Sequence, residues 1–401
     1  MNESITVDTL LPPLPDEAAA YLERYPELLS RAFPLKRKYR LALPDSIKRL
    51  SRALTSERGE RPADYLRDPA LLGAYLYYFL PWNLYRLTRL FTGLREPLLG
   101  MLPEESTIVD AGSGPLTTIQ ALWLALPERR QASWSVNCMD LAGKAMKIGR
   151  DLLDDMAGGR AAWKMRLVQK PAPGGVRDLP KRYNLLIAAN LLNELATSRD
   201  DSPGGAVAGR LGPMLDRAAN ALLVEPGTRL GGTMISHARE TAQERDFVPL
   251  APCPGPSSHA VSGGLFPCAV LSARGRGQAW CHFKAAVTGA PAWLEKLTKD
   301  AGFGREDVSL SFVLLGGGEF VPEQDKRMEA RVLSNAFSLA EGEAAGDFGA
   351  YACSPRGLVL LRAGKRADLP TQGSRVRVEP PSGPERDPKS GAPIAEIGDT
   401  R

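Results

Sequence analysis

Four cysteines late in the chain, and one acidic, glycine-bearing turn well before them, are the residues best suited to chemistry. The cysteines are Cys253 in Ala251-Pro-Cys-Pro254, Cys268 in Phe266-Pro-Cys268, Cys281 in Trp280-Cys-His-Phe283 and Cys353 in Ala352-Cys-Ser-Pro-Arg-Gly357. The first three fall in the Pro- and Gly-rich stretch 249–285, which offers little apolar material to fold around. A bound metal would give such a stretch a folding nucleus. Zinc sites commonly show tight Cys-x2–4-Cys knuckles, and none occurs here. Spread-out thiolates suit an iron–sulfur cluster at least as well, and unligated structural cysteines are the plain alternative. His282 adjoins Cys281 and is a substitute ligand; His237 and His259 carry no pattern. Cys138 lies among apolar neighbours and reads as core.

The acidic turn is Thr107-Ile-Val-Asp-Ala-Gly-Ser-Gly-Pro-Leu-Thr-Thr118. A β-branched run ends on Asp110, Gly112 and Gly114 follow, and a helical pattern begins. Glycines there let the backbone approach a ligand closely. A dinucleotide loop would read Gly-x-Gly-x-x-Gly, but Thr117 stands where its third glycine belongs. Asp110-x-Gly112-x-Gly114 resembles instead motif I of class I S-adenosylmethionine-dependent methyltransferases, with Leu116 in place of the commoner glycine. Asp140, closing the next strand, is placed to accept hydrogen bonds from ribose hydroxyls; its bland alternative is a helix N-cap. Asn190 and Asn193 follow a later strand and face the same mouth, as cofactor or substrate contacts or as helix caps. No amine-positioning Asn-Pro-Pro-Tyr follows Ala189, and no catalytic residue is named.

The elements that must position these groups alternate. Strands are expected at Thr107–Ala111, Ser133–Met139, Trp163–Gln169, Tyr183–Ala189 and Ala221–Val224. Helices are expected at Leu116–Leu126, Leu141–Met156 and Ala206–Ala221. Such alternation implies a mostly parallel sheet in an α/β fold. Beyond Gly227 a helix ends at Arg239–Asp246. Strands at Ala279–Ala286, Leu310–Leu315 and Gly357–Leu361 and a helix at Ala292–Ala301 follow. Residues 1–105 read as a helical N-terminal module, with helices over Asp16–Phe33, from Pro44-Asp45-Ser46 to Leu54, and over Ala70–Phe91 with a break near Pro81. Residues 106–363 form the α/β domain with its cysteine-rich region at 249–285. Residues 364–401 are Pro-, Gly- and charge-rich and are expected to be disordered.

Composition sets the outer bounds. The 401 residues are 43% hydrophobic and 24% charged, ordinary for a globular protein. No apolar run reaches membrane-spanning length, and Met1-Asn-Glu-Ser-Ile opens without the marks of a secretory signal. The expected setting is a cytoplasmic monomer that does not engage membranes. Net charge is +5, yet Arg31–Arg61 holds ten Lys or Arg against three Asp or Glu. A concentrated basic segment is either a phosphate-backbone footprint or a solvated helix face. Arg86, Arg89 and Arg95 add charge to the module.

Taken together, Leu223-Val-Glu-Pro-Gly-Thr228, Ala251-Pro-Cys-Pro254, Trp280-Cys-His-Phe283 and Cys353-Ser-Pro-Arg-Gly357 resemble a known family. They look like a bacterial member of the methyltransferase-like small-ribosomal-subunit assembly proteins, relatives of mitochondrial methyltransferase-like protein 17. Asn190-Leu-Leu-Asn-Glu-Leu195 and Ala74-Tyr-Leu-Tyr-Tyr-Phe-Leu-Pro81 fit as well, so the resemblance spans roughly residues 70–362. It implies a class I methyltransferase fold (Rossmann-like), action on the small ribosomal subunit and its rRNA, and a [4Fe–4S] site. Carried over residue by residue, the cluster ligands are Cys253, Cys268, Cys281 and Cys353. The spacer between Cys253 and Cys268 is longer than the family's usual Cys-Pro-His-x-x-x-Cys, and the basic C-terminal ending of bacterial members is absent. The S-adenosylmethionine contacts are expected at Asp110, Gly112, Gly114, Asp140 and Asn190. Three readings stay open: an rRNA methyltransferase, a non-catalytic assembly module, and a zinc-stabilised small-molecule methyltransferase.

Overall fold

A computed structural model describes residues 10–56, 64–172, 174–195, 203–254, 268, 280–317, 328–339 and 346–397. Its centre is a mostly parallel sheet of β1 (Glu105–Ala111), β2 (Ser133–Met139), β3 (Lys164–Val168), β4 (Tyr183–Ala189) and β5 (Ala218–Pro226). The sheet is completed by β6 (Phe247–Ala251), β7 (Phe283–Ala286) and β8 (Asp307–Gly317). The strand order is β3-β2-β1-β4-β5-β8-β6, and β7 also pairs with β8. β8 runs antiparallel to β5, with Leu223 opposite Val313 and Val224 opposite Phe312. Chain order reverses between β1 and β4, and by the switch-point rule a ligand site lies at the carboxyl ends of those strands.

Side-chain alternation sends the apolar residues of the central strands to both faces of the sheet. Ile108, Leu185, Ile187, Leu222 and Val224 belong to one core. Their neighbours Val109, Leu186, Ala188 and Leu223 belong to the core on the opposite face. Helices cover both faces, so period-two alternation shows no polar side. The first core is packed by α8 (Thr117–Ala125) and α9 (Gly143–Met156), the second by α11 (Pro203–Leu215) and α12 (Arg229–Gln243).

The N-terminal helices are α1 (Asp16–Glu23), α2 (Tyr25–Ala32), α3 (Arg37–Leu41), α4 (Leu43–Leu54), α5 (Pro69–Ala74), α6 (Leu80–Gly93) and α7 (Arg95–Met101). The helix expected over Asp16–Phe33 is broken at Arg24, ahead of Tyr25-Pro26. The break expected near Pro81 is a π-helical turn, Tyr75–Phe79, feeding α6. These helices do not form a separate unit. Leu22, Leu29, Leu76 and Leu90 share one core with the sheet, and Tyr25 Oη donates to Gln120 Oε1 on α8 at 2.8 Å. The Trp82 indole donates to Thr298 Oγ1 on α13 (Ala292–Asp300).

The expected disorder beyond residue 363 is corrected by the structure. A second sheet is built from β9 (Met328–Val332), β10 (Phe337–Ser338), β11 (Phe348–Ser354), β12 (Gly357–Ala363), β13 (Arg375–Val378) and β14 (Ile394–Glu396). Its order is β13-β9-β11-β12-β14, with β10 on β11, so the segment read as a tail supplies both edges. Leu369, Val378 and Ala395 are buried with Val332, Val359 and Leu361 in a core of their own. Burying a leucine or valine is worth roughly 1.5–3 kcal/mol, and Arg362 ties the segment down through Glu385 and Glu396. The region expected as a domain over 106–363 therefore holds one whole sheet and part of a second, which is completed by residues 375–396. The helix expected to end within Arg239–Asp246 is Arg229–Gln243.

Candidate functional site

A cavity of about 830 Å³ opens at the carboxyl ends of the central strands. The strands supply its floor through Gly112, Gly114, Asp140, Asn190 and Thr228. The N-terminal helices supply its roof through Tyr75, Phe79, Trp82, Asn83 and Arg86. Among residues expected at the cofactor, Gly112, Gly114, Asp140 and Asn190 come together here.

The loop after β1 owes its shape to local bonds. Gly112 and Gly114 have φ of +73° and +48°, where a side chain is strained. A Cβ on Gly112 would also stand 3.1 Å from Leu191 Cδ1. Ser113 Oγ donates to Asp110 O at 2.6 Å, and Met139 N donates back to Ser113 Oγ at 2.9 Å. Leu116 takes the left-handed conformation, φ 56° and ψ 37°, as the residue before α8. That geometry explains why glycine is commoner there; complete burial of its side chain offsets the strain.

Asp110 lies beneath this loop and does not line the cavity. It is fully buried, and its Oδ2 accepts from Thr118 Oγ1 at 2.6 Å. Burial pushes its carboxyl up to about 7, against the bonds from Thr118 and Ser113. It shapes the loop from below. Asp140 faces the cavity: Oδ2 accepts from Gly114 N at 2.9 Å and Oδ1 from Ala142 N at 2.7 Å. The cofactor reading and the capping reading thus describe one carboxylate, since each oxygen keeps room for another donor. Burial raises its pKa, with the backbone N–H groups of Ala142, Gly114 and Leu141 opposing.

Asn190 has φ +60°, a conformation that asparagine tolerates better than most residues. Its Oδ1 accepts from Arg86 Nη2 at 2.6 Å. Asn193 lines the same cavity, and its buried Oδ1 has no partner. Behind them Glu225 is fully buried; its Oε1 accepts from Leu192 N at 2.7 Å. Burial pushes that carboxyl up to about 8, with the Leu192 and Asn193 N–H groups lowering it.

Several residues here were not singled out by the sequence. Tyr75 sits over the glycine loop, its Oη 3.9 Å from where a Gly114 Cβ would stand. Burial, then Asp140 and Glu194, push its hydroxyl up to about 12. Arg86 is 8% exposed and also donates to Ser309 O at 3.2 Å. Its signal was an arginine in an apolar helical run. Arg86, Arg89 and Arg95 do not form the charged surface that their presence suggested. Arg89 is buried and clamps Leu11 O, Pro12 O and Ala286 O, while Arg95 pairs with Glu128. The segment Lys36–Arg40 does stay outside. Lys36, Arg37, Lys38 and Arg40 are exposed, and α3 buries no residue.

The cysteines converge elsewhere. Cys253, Cys268, Cys281 and Cys353 line one small cavity with Ser236 and Arg239 of α12, Phe312 and Val313 of β8, and Leu333. Cys253 follows β6, Cys281 precedes β7 and Cys353 lies among the last, turn-side residues of β11, opposite Arg331, so the cavity lies where the two sheets meet. Arg239 and Arg331 are 3% and 2% exposed beside it. Arg331 donates to Pro252 O and to Gly373 O, joining both sheets at this point. Burial works to lower Arg239, but Cys253 and Cys268 outweigh it and hold the guanidinium up. Burial pushes the Cys253 and Cys281 thiols up. Among the described residues no group of three His, Cys, Asp or Glu is arranged to hold a metal ion. The donor chemistry nonetheless fits a bound cation: four thiols share one cavity, and buried guanidiniums would balance their thiolates. His282 is not part of the lining; its ring stacks on Trp280 and its Nδ1 meets Trp280 O. Cys138 is core, as expected. His259 lies outside the described residues.

Strand order and the glycine loop define a class I S-adenosylmethionine-dependent methyltransferase fold, here with helical and β additions. The chain belongs to the family described as mitochondrial small ribosomal subunit Rsm22, which it matches over residues 72–340. The resemblance expected from the sequence is borne out, and β11–β14, with Cys353, lie beyond the matched span. Similar solved structures include the magnesium protoporphyrin IX methyltransferase of Synechocystis PCC 6803 with bound SAM, at 11% identity. That likeness covers 64% of this chain and 95% of that one at a TM-score of 0.38. Another is an rRNA methylase from Streptococcus thermophilus at 12% identity, covering 56% and 94% with a TM-score of 0.32. No curated protein matches the sequence. Among the described residues no helix is long and apolar enough to cross a membrane.

Proposed function

We propose that the chain binds S-adenosylmethionine in the large cavity and acts on the small ribosomal subunit through its rRNA. The observation that carries this reading is the convergence of Gly112, Gly114, Asp140 and Asn190 on one cavity, in a chain of a small-subunit family. The glycine backbone would admit the cofactor, and Asp140 would take its ribose hydroxyls. The bound group would supply an activated methyl. Tyr75 and Asn83 line the roof above it.

Cys253, Cys268, Cys281 and Cys353 would hold a [4Fe–4S] cluster, with Arg239 and Arg331 balancing its thiolates. Its role is to join the two sheets at their meeting point. Iron and sulfide in stoichiometric amounts after anaerobic purification are the expected finding; stoichiometric zinc without sulfide would place a zinc site there instead.

The exposed Lys36, Arg37, Lys38 and Arg40 suit an rRNA backbone. Reversing these four charges should abolish co-sedimentation with small-subunit particles while leaving the melting temperature unchanged. Unaltered co-sedimentation would remove this segment from the interface.

Binding without turnover is favoured by Asn190, whose amide oxygen is already held by Arg86. A second reading, methyl transfer to RNA, draws on the buried, unpartnered Asn193 Oδ1 in the cavity wall, an acceptor suited to an N–H of a base. Radiolabelled methyl transfer to small-subunit particles separates the two. Incorporation lost in Asn193→Ala would establish turnover.

A further inference from the structure

The cavity has two halves of different character. Gly112, Gly114 and Asp140 lie at the ends of β1 and β2. Over β5 and the start of β8 stand two arginines instead. Arg86 reaches across from Asn190 to Ser309 O. Arg305, in the turn before β8, is exposed to the cavity and stacks on Trp82 with its guanidinium carbon 4.7 Å from the ring centre. Among the described residues neither guanidinium forms an ion pair within 4 Å, and Arg86 Nε is buried without a partner. Burial, and then the charge of Arg305, push Arg86 down to about 10, with Glu225 and Tyr75 opposing. Glu225 is a poor counter-ion, since its own burial pushes it up to about 8. A like-charge pair in a partly desolvated place is costly, and an anionic ligand would relieve it.

We propose that this half of the cavity is a phosphate subsite for single-stranded RNA, with Arg86 and Arg305 taking one backbone phosphate. Two further features select a polymer over a small anion. α4 places Ser51, Leu54 and Thr55 on the cavity rim and follows directly from the exposed basic stretch Lys36–Arg40. One strand can therefore run from that stretch over the rim and into the cavity. The rings of Tyr75 and Phe79, 6.0 Å apart and 28° from parallel, line the same wall and are partly exposed. Aromatic rings beside a cationic groove are what single-strand sites use to stack bases. The proposal rests on the rRNA reading above, and it adds where inside the cavity the strand is gripped.

The test uses the full chain and a fluorescein-labelled single-stranded RNA decamer, titrated by anisotropy across a salt series. Arg305→Ala is the first variant because the residue is exposed; Arg86→Gln sits in the core and is secondary. Arg305→Ala should weaken RNA binding about tenfold and reduce the log–log salt slope by about 0.7, the value for one phosphate contact on a single strand. Arg305→Lys should recover most of that slope, and S-adenosylhomocysteine affinity should not change. Unchanged RNA affinity and slope in Arg305→Ala would overturn the subsite, and so would a selective loss of S-adenosylhomocysteine, since the arginines would then hold the cofactor's carboxylate. The two readings fail separately. Arg305-dependent RNA binding without small-subunit co-sedimentation sustains the subsite and removes the ribosomal role. Co-sedimentation together with Arg305-independent RNA binding does the reverse.

Discussion

The cofactor mouth and the thiol cavity are built in opposite ways. The mouth is made mainly of backbone: two glycines at positive φ, a serine that knits the loop to Met139, and an aspartate bonded to main-chain N–H groups. All of it follows from one strand–turn–helix unit and the strand beside it. The thiol cavity is made of side chains from segments as far apart as Cys253 and Cys353, on two sheets. Local chain geometry therefore pre-forms the first site. The second persists only while distant segments stay docked. One site should survive insults that destroy the other.

The largest test of that contrast is removal of the chain after residue 363. It deletes two edge strands and leaves buried Arg331 without Gly373 O. Losing a hydrogen bond to a charged group costs about 1.5–3 kcal/mol, and the buried apolar residues of the two strands go with it. Loss of the metal proposed for the thiols and rapid proteolysis within 328–363 are expected by metal analysis and limited digestion. A metal-loaded, resistant truncation would show that the second sheet does not support the thiols.

Cys353→Ser comes next. With its thiol gone, metal content should collapse and the melting temperature fall on the order of 10 °C, while S-adenosylhomocysteine affinity drops only a few-fold in calorimetry. Asp140→Ala is its mirror image. Cofactor affinity should fall ten- to a hundred-fold, about 1.4–2.7 kcal/mol, with the content of the proposed metal preserved and the melting temperature lowered only by the lost Gly114 and Ala142 N–H bonds. Equal affinity for wild type and variant would take Asp140 out of the site.

The smallest effect belongs to Glu225. Its folded pKa, about 8, lies above the ordinary 4.5, so the native state holds a proton that the unfolded chain has released. Its contribution to stability is full below about pH 4.5 and is lost as pH rises through about 8. Glu225→Gln should flatten that decline and gain on the order of 1 kcal/mol at pH 8, read from denaturant midpoints at pH 5 and pH 8. Parallel pH profiles for the two proteins would refute the assignment.

The same contrast governs what the sequence revealed. β2 and β4 occupy the residues expected of them, β4 because a strand buried on both faces is a nearly continuous apolar run. The Asp110–Gly114 turn was equally legible, being contiguous. Asp110 was placed one layer too high, because spacing alone does not tell a loop's underside from its ligand face. Of the second sheet only β12 was foreseen, as Gly357–Leu361, and the edge strands beyond it escaped because they are short and polar. Arg375-Val-Arg-Val378 alternates as an edge strand should, but the Pro, Gly and charge around it masked that period. Arg86 was invisible as a site residue because its meaning depends on Asn190 and Ser309, more than a hundred residues away in sequence.

The first turn of α12 sets a limit on that independence. Thr228 lines the large cavity and caps the helix through Gly231 N at 3.1 Å. One turn on, a Cβ at Gly232 would meet Trp280 at 2.9 Å and Cys281 O at 3.0 Å, and the Trp280 indole donates to Gly227 O. This turn therefore touches both sites, and any coupling through it is reciprocal. Under the cluster reading proposed above, cofactor affinity measured on this protein will carry a hidden variable, the oxidation history of the sample. Two preparations of one sequence, one kept from air and one not, will report different dissociation constants for a ligand that touches no cysteine.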